Sequence, residues 1–224
     1  MTRRAMLRAA LAYVEAGWSI VPGVTPYGPQ RRRVRVRGAV GSLRVGCSCG
    51  TAYCGSPAAH PLDPDWQRHI VTTPAGVRFW WGNETGQVPN IVLVCGDTFD
   101  AWSVPRAVSY RALDLLPDEI ARSVPVAMTP TERWHLFTTP ALPDEPPKIP
   151  PGVDVKHLGA GHYVPAPPST RGPHGHDSWL IPQLGRRLPR WPTIAVALIQ
   201  AAQLVEHDRQ RHRPSHPEAH VAAG

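Results

Sequence analysis

An α+β fold is predicted for this chain, because helical and strand-like hydrophobic periods alternate along it. Two helical stretches, at residues 4–16 and 192–205, flank β-branched apolar runs such as Ile91-Val-Leu-Val-Cys95. With 27 Pro and 19 Gly among 224 residues, too much of the chain is turn and extended loop for a helix bundle. A hydrophobic share of 42% is enough to bury a core in one domain without a disulfide framework.

In the first helix Leu7, Ala10, Leu11 and Val14 recur at three- and four-residue steps, and Gly17 stops it. Residues 18–21 then read as a short buried strand. Between Pro22 and Pro61 the periodicity is lost, and this stretch reads as an inserted loop or small metal-bound lobe. Residues 91–95 form a buried strand ended by Gly96. Residues 97–100 read as the loop beyond it, residues 105–120 as a helix, and residues 124–128 and 134–138 as further strands. Six prolines within residues 140–151 predict an extended linker. Residues 153–156 and 162–165 read as a hairpin around Gly159-Ala-Gly161. The last helix opens with Pro192 in its first turn, where the missing N–H costs least. The expected organisation is one domain over 1–205 and a disordered His/Arg/Pro-rich tail over 206–224.

The apolar stretch 194–199 is far short of the roughly 20 residues of a membrane span. Arg8 and Glu15 interrupt any signal-peptide core, so a cytoplasmic protein without a membrane partner is expected. Three of the four cysteines crowd together with a histidine in the zinc loop at about 44–61. Cys47, Cys49, Cys54 and His60 supply three thiolates and an imidazole, the donor set of a closed tetrahedral structural zinc site. Cys95, alone in an apolar strand, reads as a small buried hydrophobe.

With 24 Lys+Arg against 17 Asp+Glu, the formal net charge is +7. The basic run Arg31, Arg32, Arg33, Arg35 and Arg37 alternates with Val after Arg33, so a strand would carry those arginines on one face. Together these features favour nucleic acid as the partner, bound mainly through phosphates. Eight Trp, including the pair Trp80-Trp81, offer rings for base stacking beside their core roles.

Several ordered elements resemble a known family. They are Ala10-Leu-Ala-Tyr-Val-Glu-Ala-Gly-Trp18, Cys47-Ser-Cys49 through Ala59-His-Pro61, Thr73-Pro with Phe79-Trp-Trp81, and Pro89-Asn-Ile-Val-Leu-Val-Cys-Gly96. Gly152-Val-Asp-Val155 and His162-Tyr-Val-Pro-Ala-Pro-Pro-Ser169 extend the match over roughly residues 5–205. In order and spacing they resemble the N-terminal domain of bifunctional DNA primase/polymerases, of the archaeo-eukaryotic primase superfamily. The resemblance implies an RRM-like α+β core with a zinc-bound loop and flanking helices. It further implies template-dependent nucleotidyl transfer on single-stranded or primer-template DNA, nucleotides as substrates, and two magnesium or manganese ions held by an Asp-x-Asp pair. Relatives often continue into a helicase-like ATPase; no Gly-x4-Gly-Lys-Ser/Thr loop occurs here, so a helicase-type partner is expected instead.

At the position of the paired acids this chain reads Ser103 and Pro105, with Asp97 and Asp100 upstream as the nearest substitutes. His135 matches the family's phosphate-binding histidine. Arg133 stands two residues before it, where the family has a small hydroxyl residue. Asp154 matches the lone acid that completes the metal site. The resemblance thus assigns catalysis to His135 and Asp154, with Asp100 as the candidate substitute for the missing pair, while Arg133 departs from the family pattern but suits phosphate contact chemically. Its alternative is a catalytically inactive, zinc-stabilised DNA-binding accessory module of a replication system.

Overall fold

The computed structural model describes residues 1–29, 45–51, 53–131, 133–142, 144–145, 147–182 and 184–212. The basic run at 31–37 lies outside the described residues.

Helix α1 (Arg3–Glu15) starts where the Thr2 side chain accepts a hydrogen bond from the Ala5 N–H, and it buries Met6, Ala10, Tyr13 and Val14 on one face. Gly17, at φ +79°, ends it by turning the chain into β1 (Ile20–Gly23). The strands β2 (Pro26–Pro29) and β3 (Val45–Cys47) pair with each other and carry the chain to the cysteine lobe. A 3-10 turn at Trp66–His69 follows, then α2 (Pro74–Trp81), capped by Thr73 with proline at its start.

Strand β4 (Asn90–Val94) lies between β1 and β9 (Tyr163–Pro165) in a three-stranded sheet. At Gly96 the chain leaves this sheet for the next. Gly96 has φ +101°, and a Cβ there would lie 2.3 Å from the Ala160 Cα, so no side chain fits this crossing. Strand β5 (Asp100–Pro105) follows at once, with Asp100 as its first residue rather than part of a loop.

Helices α3 (Arg106–Leu115) and α4 (Asp118–Ser123) replace the single helix expected over 105–120. Pro117 explains the break, because a proline disfavours the helical conformation in the residue before it. Strands β6 (Val126–Met128), β7 (Arg133–Thr138), β8 (Lys156–Leu158) and β10 (Ser178–Ile181) join β5 in a five-stranded sheet of order β10-β6-β7-β5-β8. Every strand pairing among the described residues is antiparallel. Helix α5 (Trp191–Arg211) is the last element among the described residues and runs past the expected end at Val205.

The hairpin expected over 153–165 does not form. The turn at Gly159 is present, with His162 N–H donating to its carbonyl at 3.0 Å, but β8 pairs with β5 while β9 pairs with β4. This segment and Gly96 are therefore two adjacent crossings between the sheets.

The core has two main layers. Inner residues of both sheets, among them Ile91, Leu93, Ala101, Ala127 and Phe137, pack with α1, α2 and Trp18. The opposite face of the five-stranded sheet, with Trp102, Val104, Val126 and Leu136, packs against Val108 and Ala112 of α3 and Ile194 and Leu198 of α5. Residues i and i+2 of one strand share a face, so each strand of the larger sheet serves both layers. No helix among the described residues is long and apolar enough to cross a membrane.

Candidate functional site

The register of the larger sheet brings Ser103 opposite His135 on β7 and Lys156 on β8. Directly paired residues share a sheet face, so these three lie on the side that faces the smaller sheet, beyond the apolar inner layer. Ser103 and His135 are each only 7% exposed.

Arg133 binds this corner together. Its Nε donates to Ser103 Oγ at 3.1 Å and one Nη to the Ser103 carbonyl at 2.6 Å. The other Nη donates to Asp154 Oδ1 at 2.7 Å. The guanidinium fork thus occupies the space between a serine and a carboxylate, with a fixed positive charge on both. Arg133 and Asp154, for which the sequence suggests separate tasks, are partners of each other.

His135 sits beside this cation and near a second. Burial lowers its imidazole to a pKa of about 3, and Arg171 and then Arg133 push in the same direction. The ring is neutral at pH 7, and its Nδ1 is buried with no hydrogen-bond partner among the described residues.

Asp100 is not brought to this corner. It lies three residues before Ser103 in one strand, so its side chain faces the helix layer. There Oδ2 accepts from His157 Nε2 at 2.7 Å and from the Ala141 N–H at 2.8 Å, and Oδ1 is buried without a partner among the described residues. Asp97 lies in the turn before β5.

The second cluster is the cysteine lobe. One donor atom from each of Cys47, Cys49, Cys54 and His60 lies within 4.8 Å of the others. His60 Nδ1 contacts the Pro61 carbonyl at 2.8 Å, which fixes the tautomer and leaves Nε2 as a ligand. That Nε2 is 3.4 Å from Cys54 Sγ and 3.6 Å from Cys47 Sγ. A tetrahedral zinc with ordinary Zn–S and Zn–N bonds would hold such donors about 3.5 Å apart, so the four residues fit a metal such as zinc. A hydrogen bond from Thr51 pulls the Cys49 thiol down to about 6, while burial pushes that of Cys54 up to about 11.

One carbonyl of the lobe is held by two side chains from the sheet side, beside backbone links such as Val24 N–H to the His60 carbonyl at 3.0 Å. Ala58 O accepts from Asn90 Nδ2 at 3.2 Å and from Arg171 Nη1 at 3.1 Å. Arg171 Nε is paired with the fully buried Asp177 at 3.0 and 3.1 Å, and Asn90 also bonds both backbone groups of Thr170. The same Arg171 therefore anchors the lobe and acts electrostatically on His135. Sequence reading missed Arg171 and Asn90 as parts of the site, although Asn90 and the Pro-Pro-Ser169 segment just before Arg171 lie within the quoted motifs.

The model for the N-terminal domain of bifunctional DNA primase/polymerases matches residues 10–193. The chain belongs to this family. Comparison with curated proteins finds no match. Membership implies a primase/polymerase-like relation to nucleic acid, and the fold is an antiparallel α+β architecture with a Cys3His cluster.

Proposed function

We propose that this primase/polymerase domain is a zinc-stabilised DNA-binding module, of the accessory kind in a replication system, that does not carry out metal-dependent nucleotidyl transfer. The carrying observation is the Arg133 guanidinium held between Ser103 and Asp154. Two divalent cations over a triphosphate need several carboxylates converging on one place. The corner instead offers one carboxylate already neutralised by Arg133, a serine and the nitrogen-blocked Pro105. The donors present do not fit that metal pair.

Asp100 does not favour the polymerase alternative, because its carboxylate is committed to His157 and the Ala141 N–H on the far face of β5. On this reading the RRM-like core implied by the family corresponds to the larger sheet with α3 and α5. Lys156, exposed beside Ser103, and the basic run at 31–37 supply phosphate contacts. Zinc is the metal of the Cys3His lobe.

A primer-extension and de novo priming assay with Mg2+ and with Mn2+, run beside a DNA-binding titration at low salt, tests the reading. Binding without incorporation is expected. Robust incorporation that Asp154→Ala abolishes would overturn it.

A further inference from the structure

The outer face of the smaller sheet, turned away from the Ser103 corner, carries a cavity of about 110 Å³. Val21 and Pro22 of β1 line it together with Trp66, His69 and Trp80. The His69 and Trp80 rings meet edge to face at 5.9 Å, and Phe79 meets Trp80 in the same way at 5.4 Å. Phe79 is 73% exposed, Leu62 on the rim 43% and Ile70 beside them 40%. Behind the cavity Trp66 packs edge to face on Tyr163 at 5.7 Å, so its wall is held from within the sheet. At the mouth Asp63 Oδ2 lies 3.2 Å from His69 Nε2.

We propose that this cavity receives one unstacked base of a single-stranded nucleic acid. The inference rests on the DNA-binding reading above. Aromatic walls without a matching protein side chain suit a flat ring, since stacking is tolerant of base identity. The Asp63–His69 pair places a carboxylate and an imidazole where the polar edge of a base would emerge. Arg68, exposed and next to His69, and Arg78 of α2 are in no ion pair among the described residues, so the same elements carry cations for the adjoining phosphates. The cavity also adjoins the metal lobe, because Leu62 N–H donates to the Pro22 carbonyl at 2.8 Å and Gly23 bridges to Pro61, the residue after His60. Of the tryptophan pair, Trp81 is fully buried and bonded to the Pro89 carbonyl, leaving Trp80 to the cavity.

The test is a fluorescence-anisotropy titration of the whole chain with labelled oligo-dT and with an abasic strand of equal length, both at low salt. The parent is expected to favour oligo-dT by about tenfold. Phe79→Ala and Trp80→Ala should each shrink that preference toward unity and leave the abasic affinity unchanged. Phe79 is exposed enough to be replaced without cost to folding, so it and His69→Ala decide the matter should Trp80→Ala unfold. Equal affinity of the parent for both strands, or a preference that survives Phe79→Ala and His69→Ala, overturns the base pocket while DNA binding stands. No binding of either strand overturns both.

Discussion

The Arg133 guanidinium reaches Asp154 Oδ1 at 2.7 Å and Ser103 Oγ at 3.1 Å, so one side chain satisfies two positions at which the family resemblance expects metal chemistry. A planar fork with several donors can do this where an ammonium could not. Its charge also bears on His135, which stays a neutral imidazole. At this corner the arginine is therefore paired with its own carboxylate.

Removing the cation and restoring an acid should reopen the site to metal. The double variant Ser103→Asp/Arg133→Ser, loaded with its zinc, is expected to bind Mn2+ in a calorimetric titration, whereas the parent binds none at the same concentration. Equal Mn2+ binding by the parent would mean that Arg133 does not exclude the ion.

Metal at the Cys3His lobe should be a folding matter rather than a catalytic one. Protein purified without chelator is expected to carry about one equivalent of zinc, because thiolate coordination gives the loop order that it otherwise lacks. Stripping it, or replacing Cys47 by Ser, should lower Tm by roughly 5–10 °C, the scale of a few kcal/mol in a domain of this size. Less than about half an equivalent, with Cys47→Ser as stable as the parent, counts against the assignment.

DNA affinity should fall steeply with salt, since each phosphate neutralised releases counterions. Changing Arg31, Arg32 and Arg33 to Ala together should flatten the log–log salt slope by about 2 for a single strand. An unchanged slope in that triple variant would remove the basic run from the interface.

Acidification should destabilise the fold through His135. Its folded pKa of about 3 lies below the ordinary histidine value of about 6.5, so below that ordinary value the unfolded chain takes up a proton that the folded chain refuses. The contribution is fully present above about pH 6.5 and drains away as pH falls toward 3. It amounts to a few kcal/mol at most. Denaturant melts at pH 7 and pH 4.5 should show a smaller acid loss for His135→Gln than for the parent; an equal loss would place the sensitivity elsewhere.

Much of the local structure is legible along the chain. The period of Leu7, Ala10 and Val14 marks α1, the β-branched run at 91–94 marks β4, and the crowding of three Cys with His60 marks the metal lobe. Each of these depends on neighbours within a few residues, where spacing and residue type are decisive. Asp100 shows how the element a residue belongs to decides where its side chain points. Read as a loop it could be aimed anywhere, whereas as the first residue of β5 it must face away from Ser103.

Strand pairing is the property that local sequence could not settle. Residues 153–156 and 162–165 look like the arms of one hairpin, yet the strands that form are 156–158 and 163–165, each finds its partner in a different sheet, and only the packed core decides between those pairings. The Arg133–Asp154 pair, Arg171 joining Ala58 to Asp177, and the cavity between Trp66 and Trp80 likewise join residues from separate elements of the fold. Hydrophobic periodicity tells which side of a strand is buried. It carries no information about which distant strand lies beside it, because that contact is selected by burial and hydrogen bonding summed over the whole fold.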